Sequence, residues 1–298
     1  MNCLNPMKIK NPYTGEIIPT PCRHCINCTT RKIQELKVYA QAEQTKYALK
    51  GSGSSFIRLS YDDVNLPVVY NGELKRLGEL IVNNKVPKDF YPTLLKSDIQ
   101  KFWKRFNITV KRKFSALNYS YIYCGEFGEN YGRPHYHIIL FGIDTDLAKQ
   151  IIGLTWKFGF VDYRPLKAGA VTYCAKYMYN DVYGAEREKK YTSKGIEAPF
   201  LCHSKGFGDD YLKQQFMQNP DLQQFKSGGY AYSLPSYFRK KYNLQTDKHD
   251  NRTKSEQIIE AQKKAENYVI QQRQRGIAVD SRSLRFNNIN NSRGTNEK

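Results

Sequence analysis

What most limits how this chain can fold is the stretch from Tyr119 to Phe141, two apolar-rich runs joined by a Gly/Asn/Pro-rich connection from Gly128 to Pro134. Such a connection turns the chain back on itself, so the pattern predicts a hairpin with strands Tyr119 to Cys124 and His135 to Phe141. Side chains two apart on a strand leave the same face. His135, His137, Ile139 and Phe141 therefore share one face, while Tyr136, Ile138 and Leu140 bury the other. Two imidazoles on one face can reach a single ion, and the first strand, ending at Glu126, supplies a third, anionic ligand. Glu129 is the alternative carboxylate, less firmly held because it sits in the loop. Alone, the pattern is equally that of two solvated or hydrogen-bonded histidines, and the assignment needs agreement from elsewhere in the chain.

That agreement comes from the run Ala170 to Tyr179. Val171, Cys174, Ala175 and Met178 have the spacing of a buried helical stripe, which puts Tyr173, Lys176 and Tyr177 on the opposite face. Two phenols one turn apart are a pair of oxygen nucleophiles, and the ammonium between them can assist deprotonation and balance phosphate charge. In a chain with 23 tyrosines such a pair is also simply a solvated aromatic face, unless the histidine pair is there to use it.

A third cluster lies near the N-terminus, where Cys22, Cys25 and Cys28 form two overlapping C-x-x-C units behind Cys3. Four thiolates meeting in space suit a tetrahedral structural Zn(II) site that would pin the N-terminus, with His24 as a spare ligand. The spacing is also that of part of an iron–sulfur binding run, so the metal stays open. Cys124, Cys174 and Cys202 fall in strand, helix and loop contexts and receive no chemistry. Seven cysteines in a chain of this size argue for reduced thiols rather than a disulfide framework.

Charge points to the partner. Lysine and arginine number 47 against 28 acidic residues, and the formal net charge of +19 favours polyanions with strongly salt-dependent binding. Aromatics make up 13% of residues, and those interleaved with the cations offer stacking platforms for unpaired bases. No apolar run approaches the ~20 residues of a membrane span, and the start lacks a signal-peptide core, so the expectation is a soluble, intracellular protein with no membrane partner. No G-x-x-x-x-G-K-[ST] loop is present, so ATP-driven unwinding is not expected of this chain.

Three regions follow from the order of patterns. Residues 1–50 hold the Cys-rich segment and a helix from about Thr30 to Leu49; residues 51–245 form the main domain; residues 246–298 carry a basic helix, Ser255 to Arg275, and an Asn/Arg/Ser tail read as disordered. Within the main domain the expected order is a strand Phe56 to Tyr61, an irregular insertion Asp62 to Pro92, and a helix capped by Ser97 with Ile99, Phe102, Trp103 and Phe106 as its stripe. The hairpin, a helix near Asp146 to Trp156, a strand near Phe160 to Arg164 and the tyrosine helix come next, and Tyr183 to Asn243 reads as loops and short helices. The fold class is α+β, an antiparallel sheet flanked by helices.

His135-Tyr-His137 within an apolar strand, followed by Tyr173-Cys-Ala-Lys176-Tyr177, resembles the two-tyrosine form of the HUH superfamily of single-strand-nicking endonucleases. Phe56 to Pro67 resembles the first replication-initiator motif of that superfamily, and Leu95 to Phe106 the helix after it. With the Cys-rich start, residues 1 to about 240 are similar in order and spacing to the replication initiators of small isometric single-stranded DNA phages, the gokushovirus branch of the microviruses. One departure is that no lysine follows Tyr177 in Met178 to Asp181.

The resemblance implies a ferredoxin-like core, and an Mg(II) or Mn(II) ion held by His135, His137 and Glu126. It also implies Tyr173, Tyr177 and Lys176 as catalytic residues that nick single-stranded DNA at a replication origin through a 5′-phosphotyrosyl link and later rejoin the strand. A host helicase and DNA polymerase would be partners in the cytoplasm of a bacterial host. Other classes use the same residues differently. A plasmid initiator, relaxase or transposase of the superfamily would share the chemistry at another DNA site. A zinc hydrolase with two histidine ligands and one carboxylate would cleave with water and leave no adduct, and a non-enzymatic single-strand binder would tolerate loss of both histidines.

Overall fold

The computed structural model describes residues 3–242 except 84, 115–116, 130, 168, 177–184, 220–221, 223 and 228–229. The described residues fall into two compact units, residues 3–35 with 236–242, and residues 36–235. In the first, β1 (Met7–Lys10) and β2 (Ile17–Thr20) pair as an antiparallel hairpin that the sequence reading did not foresee. Its turn is held by the Asn11 side chain, whose Oδ1 accepts from the Tyr13 amide at 2.9 Å. After the cysteine cluster comes α1 (Ile26–Ala48), starting earlier than expected and so taking Cys28 into its first turn.

The second unit opens with β3 (Ser54–Ser60). The expected irregular insertion is instead a three-stranded antiparallel sheet of β4 (Pro67–Tyr70), β5 (Glu73–Arg76) and, after the short α2 (Leu77–Leu80), β6 (Phe90–Pro92). Asn71 and Gly72 both adopt positive φ, 50° and 80°, the backbone that a two-residue hairpin turn requires. Next is α3 (Lys96–Lys113), where the expected Ser97 cap is corrected to Leu95, a residue with no capping side chain. The exposed helix start is satisfied by tertiary partners: the Leu95 amide donates to Tyr136 Oη at 3.0 Å, and the Lys96 amide to Glu197 Oε2 at 3.1 Å.

The hairpin is present as β7 (Ser120–Phe127) and β8 (Pro134–Phe141), longer than expected on the β7 side, so that Glu126 lies within the strand. Asp144 caps α4 (Thr145–Ile152), accepting from the amides of Asp146 and Leu147 at 3.0 and 2.9 Å. β9 (Val161–Pro165) and α5 (Ala170–Lys176) follow. Beyond them are α6 (Ala185–Lys190), a 3-10 turn at Thr192–Lys194, β10 (Phe200–His203), α7 (Asp209–Gln218) and a small hairpin of β11 (Gln224–Ser227) and β12 (Tyr230–Ser233). Cys202 is therefore in a strand, not a loop. The last described element, α8 (Ser236–Lys241), belongs to the first unit, where the Ser236 amide donates to Glu35 Oε1 at 3.0 Å. The expected helix Ser255 to Arg275 and the tail lie outside the described residues.

The main sheet runs in the order β10-β7-β8-β3-β9, with every neighbouring pair antiparallel. One of its faces buries Ile57, Leu59, Tyr136, Ile138 and Leu140 against Ile99, Phe102 and Phe106 of α3 and Ala148, Ile151 and Ile152 of α4. Each fully buried side chain of this size contributes roughly 1.5–3 kcal/mol, which fixes the register and hence which residues remain for the other face. The α+β class, with an antiparallel sheet flanked by helices, is the one expected.

Candidate active site

The free face of the sheet collects the residues that carry chemistry. Register places Glu126 opposite His135 and Cys124 opposite His137 across β7 and β8, and Ser60 and Arg58 opposite the same histidines across β3 and β8. Residues directly opposite share a face. Glu126 Oε1 is 2.7 Å from both His135 Nε2 and His137 Nε2. His135 Nδ1 lies 3.1 Å from the Arg133 carbonyl, an acceptor, so that nitrogen carries the ring proton and Nε2 presents a lone pair to the carboxylate. Two acceptors at this distance are compatible only with a proton or a cation between them. Glu126 Oε2 and His137 Nδ1 are buried without a hydrogen-bond partner among the described residues. The donor set, two imidazole nitrogens and a carboxylate whose ligand atoms lie within 4.8 Å of one another, fits a divalent ion.

Charge behaves accordingly. Burial pushes the Glu126 carboxyl upward, but hydrogen bonds to His135 and His137 outweigh it and hold the group below the usual carboxylate range. Burial depresses His137, only partly offset by the Glu126 carboxylate, and so favours the neutral, ligating form. Glu129 is exposed and does not join the converging ligand atoms.

The tyrosine helix meets this face. Cys174 and Ala175 are buried, whereas Tyr173 is 42% exposed, its ring standing edge-on to His137 with centroids 5.0 Å apart. Phe56 stacks on the same imidazole at 5.3 Å and 22°, and meets Tyr173 edge-on at 6.2 Å. Burial raises the Tyr173 phenol, with the Glu126 carboxylate adding to it, so the hydroxyl needs positive charge nearby to become a nucleophile. Lys176 ends α5; its side chain and the whole of Tyr177 lie outside the described residues.

Two clefts flank the histidines. One, of about 400 Å³, is lined by Phe56, Arg58, His137, Arg164, Lys167 and Tyr173 among others; a second, of about 470 Å³, by Arg58, Ser60, Glu129, Arg133, His135 and Phe160 among others. Arg133 pins the hairpin loop, with Nη1 2.7 Å from Asp63 and Nη2 donating to the Tyr61 carbonyl at 2.8 Å. Sequence reasoning missed Phe56, Arg58, Asp162 and Arg164 as site residues. Their signal is alternation on β3 and β9, which becomes informative only once Arg58 is known to pair with both His137 and Asp162.

The geometry matches a sequence likeness. The family model for the replication-associated protein ORF2/gene-2 protein matches residues 85–182, the span that contains Glu126, His135, His137, Tyr173, Lys176 and Tyr177. The chain is a relative of phage replication-associated proteins. Replication-associated protein ORF4 of Chlamydia phage 1 is 24% identical over 240 residues, covering 74% of this chain and 53% of the relative. Replication-associated protein VP4 of Bdellovibrio phage phiMH2K is 24% identical over 207 residues, covering 59% and 57%. Replication-associated protein ORF2 of Spiroplasma virus 4 is 24% identical over 281 residues, covering 80% and 79%. The chain thus spans just over half the length of the first two relatives. No solved structure matches it significantly.

Outside this site, Cys3, Cys22, Cys25 and Cys28 come together as expected, with all four sulfurs within 4.8 Å of one another. No helix of the described residues is long and apolar enough to cross a membrane.

Proposed function

We propose that the chain is a phage replication initiator that nicks single-stranded DNA at an origin by tyrosine transesterification and later rejoins the strand. The observation that carries this reading is the position of Tyr173, edge-on to His137 on the face where Glu126 and two imidazole nitrogens converge. The likeness to phage replication-associated proteins supports the biological setting. Tyr173 Oη attacks the scissile phosphorus; the new O–P bond forms as the bond to the 3′ oxygen breaks, leaving a 5′-phosphotyrosyl link and a 3′-hydroxyl. The phenol proton passes to solvent, which in turn protonates the departing oxygen. An Mg(II) or Mn(II) ion held by Glu126, His135 and His137 would draw charge from the phosphate.

Lys176 balances phosphate charge beside the attacking residue, and Tyr177 provides a second nucleophile for the cut that ends a replication round. Attack of a 3′-hydroxyl on the phosphotyrosine reverses the first step and closes the strand. Because the link conserves the phosphodiester energy, joining needs no ATP. Arg58, Arg164 and Lys167 neutralise backbone phosphates, and Phe56 supplies an aromatic edge to the same cleft. The released 3′-hydroxyl primes a host DNA polymerase while a host helicase unwinds the duplex, in the cytoplasm of a bacterial cell.

The test is to incubate the full chain with 5′- and 3′-labelled single-stranded origin DNA and Mn(II), then separate products on a denaturing gel. A protein adduct carrying the 3′ fragment is expected, absent in Tyr173→Phe/Tyr177→Phe. Cleavage without adduct would favour a metal-dependent hydrolase, and binding without cleavage a non-enzymatic single-strand protein.

A further inference from the structure

The N-terminal segment has no apolar core of its own. Met7, Ile9 and Ile17 of the β1–β2 hairpin are exposed, and an isolated two-stranded hairpin is marginal in water. What gathers residues 3–28 is the sulfur cluster, in which Cys22 and Cys25 are completely buried and Leu4 is the one larger apolar side chain packed against it among the described residues. Three small thiols and one leucine bury too little surface to order this segment by the hydrophobic effect.

The sulfurs are arranged as ligands are. Cys3 Sγ lies 3.5 Å from Cys22 Sγ and 3.9 Å from Cys25 Sγ. Zinc–thiolate bonds of about 2.3 Å at tetrahedral angles set sulfurs about 3.8 Å apart, within the observed range. A cubane iron–sulfur cluster interposes iron and sulfide between the cysteines and holds them farther apart. Backbone amides point at the same sulfurs: Leu4 to Cys25 at 3.4 Å, Asn5 and Cys22 to Cys3 at 3.4 and 3.3 Å, and Cys25 to Cys22 at 3.3 Å. Amide donors aimed at sulfur stabilise the thiolate form that a metal requires. Arg23, between Cys22 and Cys25, takes a left-handed φ of 65°, uncommon for a residue with a side chain, and so bends the chain through the turn between these two ligands. His24 is not among the converging ligand groups, and the four sulfurs complete a tetrahedral set without it.

We infer that Cys3, Cys22, Cys25 and Cys28 bind a single zinc ion that ties residue 3 to the first turn of α1. The ion is structural, because four protein ligands leave no open coordination position for a substrate. This site is independent of the histidine site and of the nicking reaction proposed for it.

The experiment uses the full chain purified without chelator. Elemental analysis of the His135→Ala/His137→Ala variant, in which the other metal site is removed, should give one zinc per chain, and Cys25→Ser/Cys28→Ser should give none beyond what the histidine site holds. Because the cysteine variant could fail to fold, the unaltered chain is also titrated with a mercurial thiol reagent, which should release zinc in step with modification of the four thiols. Replacement by Co(II) should produce the intense visible bands of a tetrahedral thiolate site. A His135→Ala/His137→Ala protein without zinc, zinc release unconnected with thiol modification, or bound iron with sulfide absorption would each overturn the inference.

Discussion

Tyr173 and His137 meet edge to face, with their ring planes at 86°, so a helix residue and a strand residue share one contact at the centre of the site. The nucleophile is thereby held against a metal ligand rather than left on a free helix surface. Tyr173→Phe keeps this packing and removes only the hydroxyl. It should reduce the initial covalent adduct at least about a hundredfold, some 2.7 kcal/mol of transition-state stabilisation, in single-turnover gels. Tyr177→Phe should leave nicking and impair release of closed circles over successive rounds. An adduct retained in the double Phe variant, mapped by peptide mass to Tyr179 or elsewhere, would refute this use of the helix.

Glu126 is buried between the two histidines and Glu129 is exposed in the loop. Glu126→Ala should therefore lower cleavage by about two orders of magnitude or more, and Glu129→Ala by less than about threefold, at saturating Mn(II). The reverse ranking, read from initial rates, would move the carboxylate ligand to the loop.

On the opposite face of β8, Tyr136 Oη donates to the Leu95 carbonyl and is 2.9 Å from Tyr61 Oη, which in turn donates to the buried Asp98 carboxylate at 2.9 Å. Arg76 completes the chain with an ion pair to Asp98 at 2.8 Å. Removing one partner leaves the other charge uncompensated, so Asp98→Ala should destabilise the fold by roughly 3 kcal/mol, near the low end for such pairs because Arg76 retains some solvent access. Tyr136→Phe should cost about 1–3 kcal/mol through the backbone groups of Leu95 it leaves unpaired. Urea unfolding midpoints measure both.

Arg58 lines both clefts. Arg58→Ala should weaken single-stranded DNA binding at every sequence and reduce the slope of log affinity against log salt by about one. Binding isotherms at several salt concentrations decide it, and an unchanged slope would place the DNA backbone elsewhere.

The residues from Gly276 onward carry more cations than acids, and they should act only through general DNA affinity. Their deletion should weaken binding most at low salt and leave the cleavage rate at saturating DNA unaltered. An inactive truncated enzyme with native circular dichroism would contradict this.

The histidine hairpin was legible because burial on one face imposes a period of two, and the run from His135 to Phe141 shows it without interruption. Glu126 was legible for the same reason, being one pairing step from His135. The β4–β6 sheet was not read, although Asn71-Gly72 signals its turn, because its strands span only three or four residues and are bounded by Pro67 and Pro92. β10 is ordered by pairing with Tyr121's neighbours Ile122 to Gly125, far away in sequence, and no local pattern announces such an edge strand. The Ser97 cap failed because tertiary groups, Tyr136 and Glu197, satisfy the helix start instead. Arg58 and Phe56 escaped notice because a residue's face is visible in sequence but its neighbour across the sheet is not.

The three ligands Glu126, His135 and His137 come from one hairpin, nine and eleven residues apart. Lineages can therefore lengthen, shorten or exchange loops elsewhere without disturbing the spacing of the triad. Between the two histidines the tolerance is nil: one inserted residue within β8 would turn one imidazole toward the side occupied by Tyr136 and into the packed interior. The centre should drift freely in its surroundings yet resist insertions and deletions in its own few residues, a pattern of variation that sets this short hairpin apart from the rest of the chain.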